Sequence, residues 1–145
     1  MTDIMPLDRQ LCFSLYSASL AMTQLYKPLL EPLGLTYPQY LIMLILWEKD
    51  GVSLKDIGSR LGQKSGALTP VLKRLEQDGL VKRVRDEKDE RALNISLTEK
   101  GEALRKPASK VAPCVAEACG MSIPELIDLK AKLEELRKNL LDSQK

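Results

Sequence analysis

The stretch from Ser53 to Leu97 constrains the chain most: it reads as a helix, a turn, a second helix and a β-hairpin with a charged tip. In Ser53-Leu54-Lys55-Asp56-Ile57-Gly58-Ser59-Arg60-Leu61 a Ser cap precedes apolar residues at 54, 57 and 61, the three-and-four spacing of one helical face. Gly62 ends that helix. The next helix begins with Lys64, Ser65, Gly66 and Thr69 and carries Leu68, Leu72 and Leu75 on its inner face, so its N-terminal end is free to meet a partner. Gly79 closes it ahead of the alternating strand Leu80 to Arg85. A second strand, Ala92 to Leu97, returns across Asp86-Glu87-Lys88-Asp89-Glu90-Arg91. The pattern is that of a winged helix-turn-helix.

Small residues at a helix start let the backbone approach a DNA major groove, where free N–H groups and the helix dipole favour phosphate. Ser65, Gly66, Thr69 and Pro70 are the candidates for that approach. Lys73, Arg74, Lys82, Arg83 and Arg85 are candidates for backbone phosphates, with Arg91, beside Asp89, reaching a minor groove from the hairpin tip. The plainer reading is a helical domain with a solvated charged hairpin, because residues 73 to 91 hold six acids against seven bases.

Composition narrows the chemistry. A net charge of +2 is too mild to mark a nucleic-acid partner, so a basic surface has to be local. Histidine is absent and cysteine stands only at 12, 114 and 119, which leaves no tetrahedral zinc set, no Ser-His or Cys-His nucleophile, and neither an enzyme nor a cofactor to expect. No signal peptide or membrane-spanning run is read, and the odd thiol count suits a reducing cytoplasm.

In order, Asp8 is a candidate cap for a helix to about Leu30, stopped by Pro32 and Gly34. Leu11, Leu15, Ala18, Met22, Leu25 and Leu29 form an apolar seam along it, and Cys12, Tyr16, Ser19, Thr23 and Tyr26 follow one position over. Leu35 to Trp47 is a buried apolar helix with Thr36 as cap and Pro38 in its first turn, and Asp50-Gly51 turns into a short strand at Val52. Thr98 caps a helix that Pro107 and Pro113 interrupt, leaving Cys114 beside a weak point. Ser122-Ile123-Pro124-Glu125 is a capping box for a last helix with a seam of Leu126, Leu129, Leu133, Leu136 and Leu140.

The expected architecture is therefore mainly α with a small β-hairpin (α+β): one chain, 1–145, with a DNA-binding part at 36–98 and dimerisation helices at 8–31 and 99–143. The end helices would cover their seams against each other and a second copy of the chain, a homodimer presenting two recognition helices to double-stranded DNA of two-fold symmetry, with half-sites roughly 34 to 36 Å apart. A monomer packing its own termini together is the competing reading.

Five segments carry a further likeness: Leu11-Cys12-Phe13-Ser14-Leu15-Tyr16, Leu25-Tyr26-Lys27-Pro28-Leu29-Leu30, Leu35-Thr36-Tyr37-Pro38-Gln39-Tyr40, Ser65-Gly66-Ala67-Leu68-Thr69-Pro70, and Asp89-Glu90-Arg91 followed by Leu97-Thr98. With them the chain resembles the multiple-antibiotic-resistance regulator (MarR) family, and within it the organic hydroperoxide resistance regulators. The wing motif is shared widely across that family, whereas Cys12 with Tyr26 and Tyr37 is much more specific to the peroxide-sensing branch. The resemblance implies a dimeric repressor that leaves its operator when an organic hydroperoxide, the inducer, oxidises Cys12.

The residues allow that chemistry. Cys12 lies near a helix N-terminus, where the dipole favours a thiolate, and the phenols of Tyr16, Tyr26 and Tyr37 are candidates to hydrogen-bond it. Tyr26 is roughly 21 Å further along the same helix, so its contact requires an antiparallel crossing with a second subunit. A disulfide would need Cys114 or Cys119 as resolving thiol, with Cys114 preferred for its flanking proline. The ordinary fate of a free cysteine is a small buried hydrophobe. The alternative function is a repressor of the same fold released by a small aromatic or antibiotic-like ligand, with Cys12 only packing.

Overall fold

The computed structural model describes residues 4–85, 88 and 93–144, in two units, Met1–Val111 and Ala112–Lys145. In the first, helix α1 (Leu11–Leu30) starts later than its sequence suggests. Asp8 does not cap it: Asp8 sits inside a preceding 3₁₀ turn, Leu7–Arg9, and the extended backbone of Gln10 (φ −86°, ψ 123°) separates that turn from the helix. Gln10 is the cap, and Cys12 is therefore the second residue of α1. A second 3₁₀ turn, Glu31–Leu33, and Gly34 at φ 70° lead to α2 (Tyr37–Glu48). Thr36 and Gln39 form a reciprocal capping box there, and the helix starts two residues after Leu35, which is buried ahead of it. Ile42, Met43, Ile45, Leu46 and Trp47 of α2 are buried.

The helix-turn-helix comprises α3 (Leu54–Leu61) and α4 (Ser65–Gln77). Ser53 Oγ accepts from the Asp56 amide at 3.1 Å, the expected cap. Gly62 closes α3 in the left-handed region at φ 70°, where a side chain would be strained, and a Cβ on Gly58 would lie 2.6 Å from the Gln63 carbonyl oxygen. Leu68, Leu72 and Leu75 turn inward with Ile57, each burial stabilising by about 1.5–3 kcal/mol.

Strands β1 (Val52–Ser53), β2 (Val81–Arg85) and β3 (Leu93–Leu97) form an antiparallel sheet in the order β1-β3-β2, with Val52 opposite Ile95 and Val81 opposite Leu97. Asp50 fastens the turn into β1, its Oδ1 accepting from the amides of Gly51 at 2.9 Å and Leu97 at 2.8 Å. The hairpin tip, with Asp89 and Arg91, and Ala92 at the expected strand start lie outside the described residues.

Beyond the Thr98 cap the chain forms α5 (Glu99–Ala103), α6 (Arg105–Ala108) and α7 (Val111–Ala118). Each proline is the third residue of a new helix, where no N–H is required, and the break falls behind it, at the carbonyl its ring would strike: α5 ends at Ala103, four before Pro107, and Ser109, four before Pro113, is the C-cap of α6. Cys114 therefore lies within the first turn of α7 and not at a break. In the second unit, α8 (Ile123–Asp142) opens with the Ser122–Glu125 capping box and buries no residue, leaving Ile127 64% and Leu140 49% exposed. Among the described residues no single helix is long and apolar enough to cross a membrane.

Candidate DNA interface and redox centre

Helix α4 has Lys64 as N-cap with no side-chain hydrogen bond at that position, so the cap does not occupy its first amides. Opposite the buried leucines, Gly66, Thr69, Pro70 and Lys73 recur at i, i+3, i+4 and i+7 and form one exposed stripe, with Ser65 at its edge. Gly66 has open space around it, and Thr69 Oγ1 donates back to the Ser65 carbonyl at 3.0 Å. The stripe is thus small and largely apolar, with one cation at its far end.

The remaining candidate cations divide. Arg74 Nε is 3.6 Å from Asp78 Oδ2, and Lys100 Nζ donates to the Asp78 carbonyl at 2.9 Å; these groups line a cavity of about 370 Å³ with Gly34 and Leu104, at the C-terminal end of α4. Arg83 pairs with Glu76 at 3.3 Å. Lys82 and Arg85 are exposed on β2. Of these candidates, Lys73, Lys82 and Arg85 are turned outward with no acidic partner among the described residues.

Cys12 is exposed in the first turn of α1, and its thiol donates to Gln10 Oε1 at 3.3 Å. The far end of α1 holds the aromatic cluster: Tyr26 stacks at a tilt on Tyr37, ring centres 4.7 Å apart, and on Tyr40 at 5.7 Å. Burial raises the Tyr37 phenol above its ordinary value of 10.0; burial, then the neighbouring Tyr37, raises Tyr40. Tyr16 is 68% exposed and stands apart from these ring contacts. Tyr40 was not among the expected phenols, although its i+3 spacing from Tyr37 on α2 places both on one helical face. Beside the cluster, a cavity of about 330 Å³ is lined by Thr23, Lys27, Leu30, Glu31, Leu35, Thr36 and Tyr37.

Cys114 is exposed on α7, and Cys119, just past its end, is half-buried. Among the described residues no group of three or more His, Cys, Asp or Glu is arranged to hold a metal ion.

The family model described as transcriptional regulator SarA/Rot matches residues 24–106. The organic hydroperoxide resistance transcriptional regulator of Bacillus subtilis is 46% identical over 95% of this chain and 94% of its own. Two solved structures of AbfR, a protein known from Staphylococcus epidermidis, are similar as well. The overoxidized form bound to DNA has a TM-score of 0.77 at 40% identity, covering 92% of this chain and 94% of that one. The disulfide-formed protein has a TM-score of 0.62 at 40% identity, covering 94% and 90%.

Proposed function

Because the chain belongs to the MarR family of DNA-binding transcriptional regulators, on its organic hydroperoxide resistance branch, we propose that it is a dimeric repressor that senses organic hydroperoxides by oxidation of Cys12 and then releases its operator. The observation that carries this reading is the exposed Cys12 thiol in the first turn of α1, a helix whose far end holds the Tyr26–Tyr37–Tyr40 cluster. Along one helix the two ends are roughly 20 Å apart, so phenol and thiol meet only if the α1 helices of two chains cross antiparallel. The uncovered apolar residues of α1 and α8, such as Leu11 at 59% and Ile127 at 64% exposure, supply surface for such a dimer. AbfR, solved overoxidized on DNA and as a disulfide-formed protein, supports oxidation chemistry in a relative of this type.

In this reading, residues 36–98 engage two-fold operator DNA, residues 8–31 and 99–143 form the dimer, and the protein works in the cytoplasm without enzymatic activity. The α4 stripe enters the major groove; Lys73, Lys82 and Arg85 meet phosphates, and Arg91, with Asp89, works at the wing tip. The Cys12 thiolate attacks the terminal peroxide oxygen; the S–O bond forms as the O–O bond breaks, Cys12 becomes a sulfenic acid, and the departing alkoxide takes a proton from water to leave as the alcohol. The deciding experiment is a gel shift on a selected operator with and without cumene hydroperoxide, for wild type and Cys12→Ser. Release of the wild type alone supports the proposal; equal release of both defeats it.

The cavity beside Tyr37 favours a second reading, since about 330 Å³ lies within the range of small-molecule sites. A small aromatic ligand seated there would release DNA from Cys12→Ser as readily as from wild type.

A further inference from the structure

We infer that Thr69 reads thymine in the operator through its methyl group and not through its hydroxyl. The inference rests on the DNA-binding role of α4 and goes beyond it by naming the base and the atom that reads it.

The i, i+3, i+4, i+7 stripe of Gly66, Thr69, Pro70 and Lys73 faces outward opposite Leu68, Leu72 and Leu75. Gly66 has no side chain and Pro70 presents a ring with no N–H. Lys73, about two turns beyond the helix start, is placed for phosphate. Thr69 is thus the stripe's one residue with a hydroxyl, and that hydroxyl is committed to the Ser65 carbonyl at 3.0 Å. A threonine that turns its oxygen back onto the helix leaves its methyl as the outward branch. In the major groove the apolar group that distinguishes one base pair from the others is the C5-methyl of thymine, and threonine methyl is among the groups that pack on it. Open space around Gly66, one turn before Pro70, lets the helix come close enough for that contact.

The test separates methyl from hydroxyl on both sides of the interface. A duplex bound by the wild type is selected from a random library, each thymine is replaced in turn by deoxyuridine, and affinity is measured by fluorescence anisotropy. At one thymine in each half-site, loss of the methyl should weaken wild-type binding about 4- to 10-fold, the worth of one buried methyl group. That thymine-over-uracil ratio should persist in Thr69→Val, which keeps a methyl on the same branch, and fall to near one in Thr69→Ser, which does not. The inference is overturned if no thymine is sensitive to uracil, if the ratio survives in Thr69→Ser, or if Thr69→Val abolishes it. A library that yields no bound duplex defeats the DNA-binding role itself, a different outcome from a selected operator that ignores the methyl.

Discussion

The Cys12 thiol donates to the side-chain oxygen of Gln10 at 3.3 Å, while the Gln10 amide nitrogen donates to the Met5 carbonyl at 3.0 Å. The carbonyl only accepts, so it fixes which way the amide points. Attack by the sulfur requires its hydrogen bond to Gln10 to break, and the Met5 carbonyl keeps the Gln10 oxygen in place to re-form it. Removing residues 1–6 should speed alkylation of Cys12 by iodoacetamide about 2- to 10-fold, the worth of one hydrogen bond, in a Cys114→Ser, Cys119→Ser background. The acceleration should vanish when Gln10→Ala is also present. Equal acceleration with and without Gln10 would place the effect elsewhere.

Two neighbouring cations on α4 should behave differently on DNA. Lys73 lies on the exposed stripe, whereas Arg74 turns to Asp78. Lys73→Ala should weaken binding to all sequences and lower the salt slope by about one unit. Arg74→Ala should leave the slope near the wild-type value. Anisotropy titrations across a range of sodium chloride concentrations check this, and equal slopes for the two variants would refute the assigned face.

The resolving thiol is expected to be Cys114. Its preference comes from exposure, since Cys119 is half-buried and Pro113 sits where it does not weaken α7. After hydroperoxide treatment, non-reducing electrophoresis should show covalent dimers for wild type and Cys119→Ser but not for Cys114→Ser. Dimers that persist in Cys114→Ser and vanish in Cys119→Ser would reverse the assignment.

Gly101 should tolerate no side chain. An added Cβ would lie 2.1 Å from the Leu80 carbonyl oxygen, and the Gly101 carbonyl accepts from Trp47 Nε1 at 3.0 Å, so α5 cannot shift without breaking that bond. Gly101→Ala should cost about 1–3 kcal/mol and lower Tm by several degrees in thermal denaturation followed by circular dichroism. An unchanged Tm would mean that α5 can move away from β2 at little cost.

Stability should fall in alkali partly through the tyrosine cluster. Burial raises Tyr37, and burial with the Tyr37 charge raises Tyr40, above the ordinary 10.0. A raised folded value means the folded chain holds the proton longer than the unfolded one. The contribution is therefore intact below pH 10 and lost as pH climbs through the raised values. Urea denaturation between pH 8 and 11 should show a shallower alkaline loss for Tyr37→Phe and Tyr40→Phe than for wild type, and absorbance at 295 nm should show phenol ionisation delayed until unfolding. Parallel pH profiles for all three proteins would dismiss the cluster as a source.

Helix caps, the helix-turn-helix and the strands of the hairpin were legible in the amino-acid sequence because they rest on interactions within about four residues. Thr36 with Gln39, Ser53, Thr98, and Ser122 with Glu125 each cap where their spacing indicates, and the leucines of α4 turn inward as their period requires. Asp8 misled because a cap needs the backbone to turn helical directly after it, and here the chain first closes a 3₁₀ turn and then extends at Gln10. What the tertiary structure decided lies between elements. Tyr26 meets Tyr37 and Tyr40 only because α1 packs against α2, and Arg83 reaches Glu76 only because β2 packs against α4. Gly101 is confined by a strand-flanking carbonyl some twenty residues earlier in the chain. No local period encodes such meetings, since side chains far apart in sequence become neighbours only when the buried faces of their elements are pressed together.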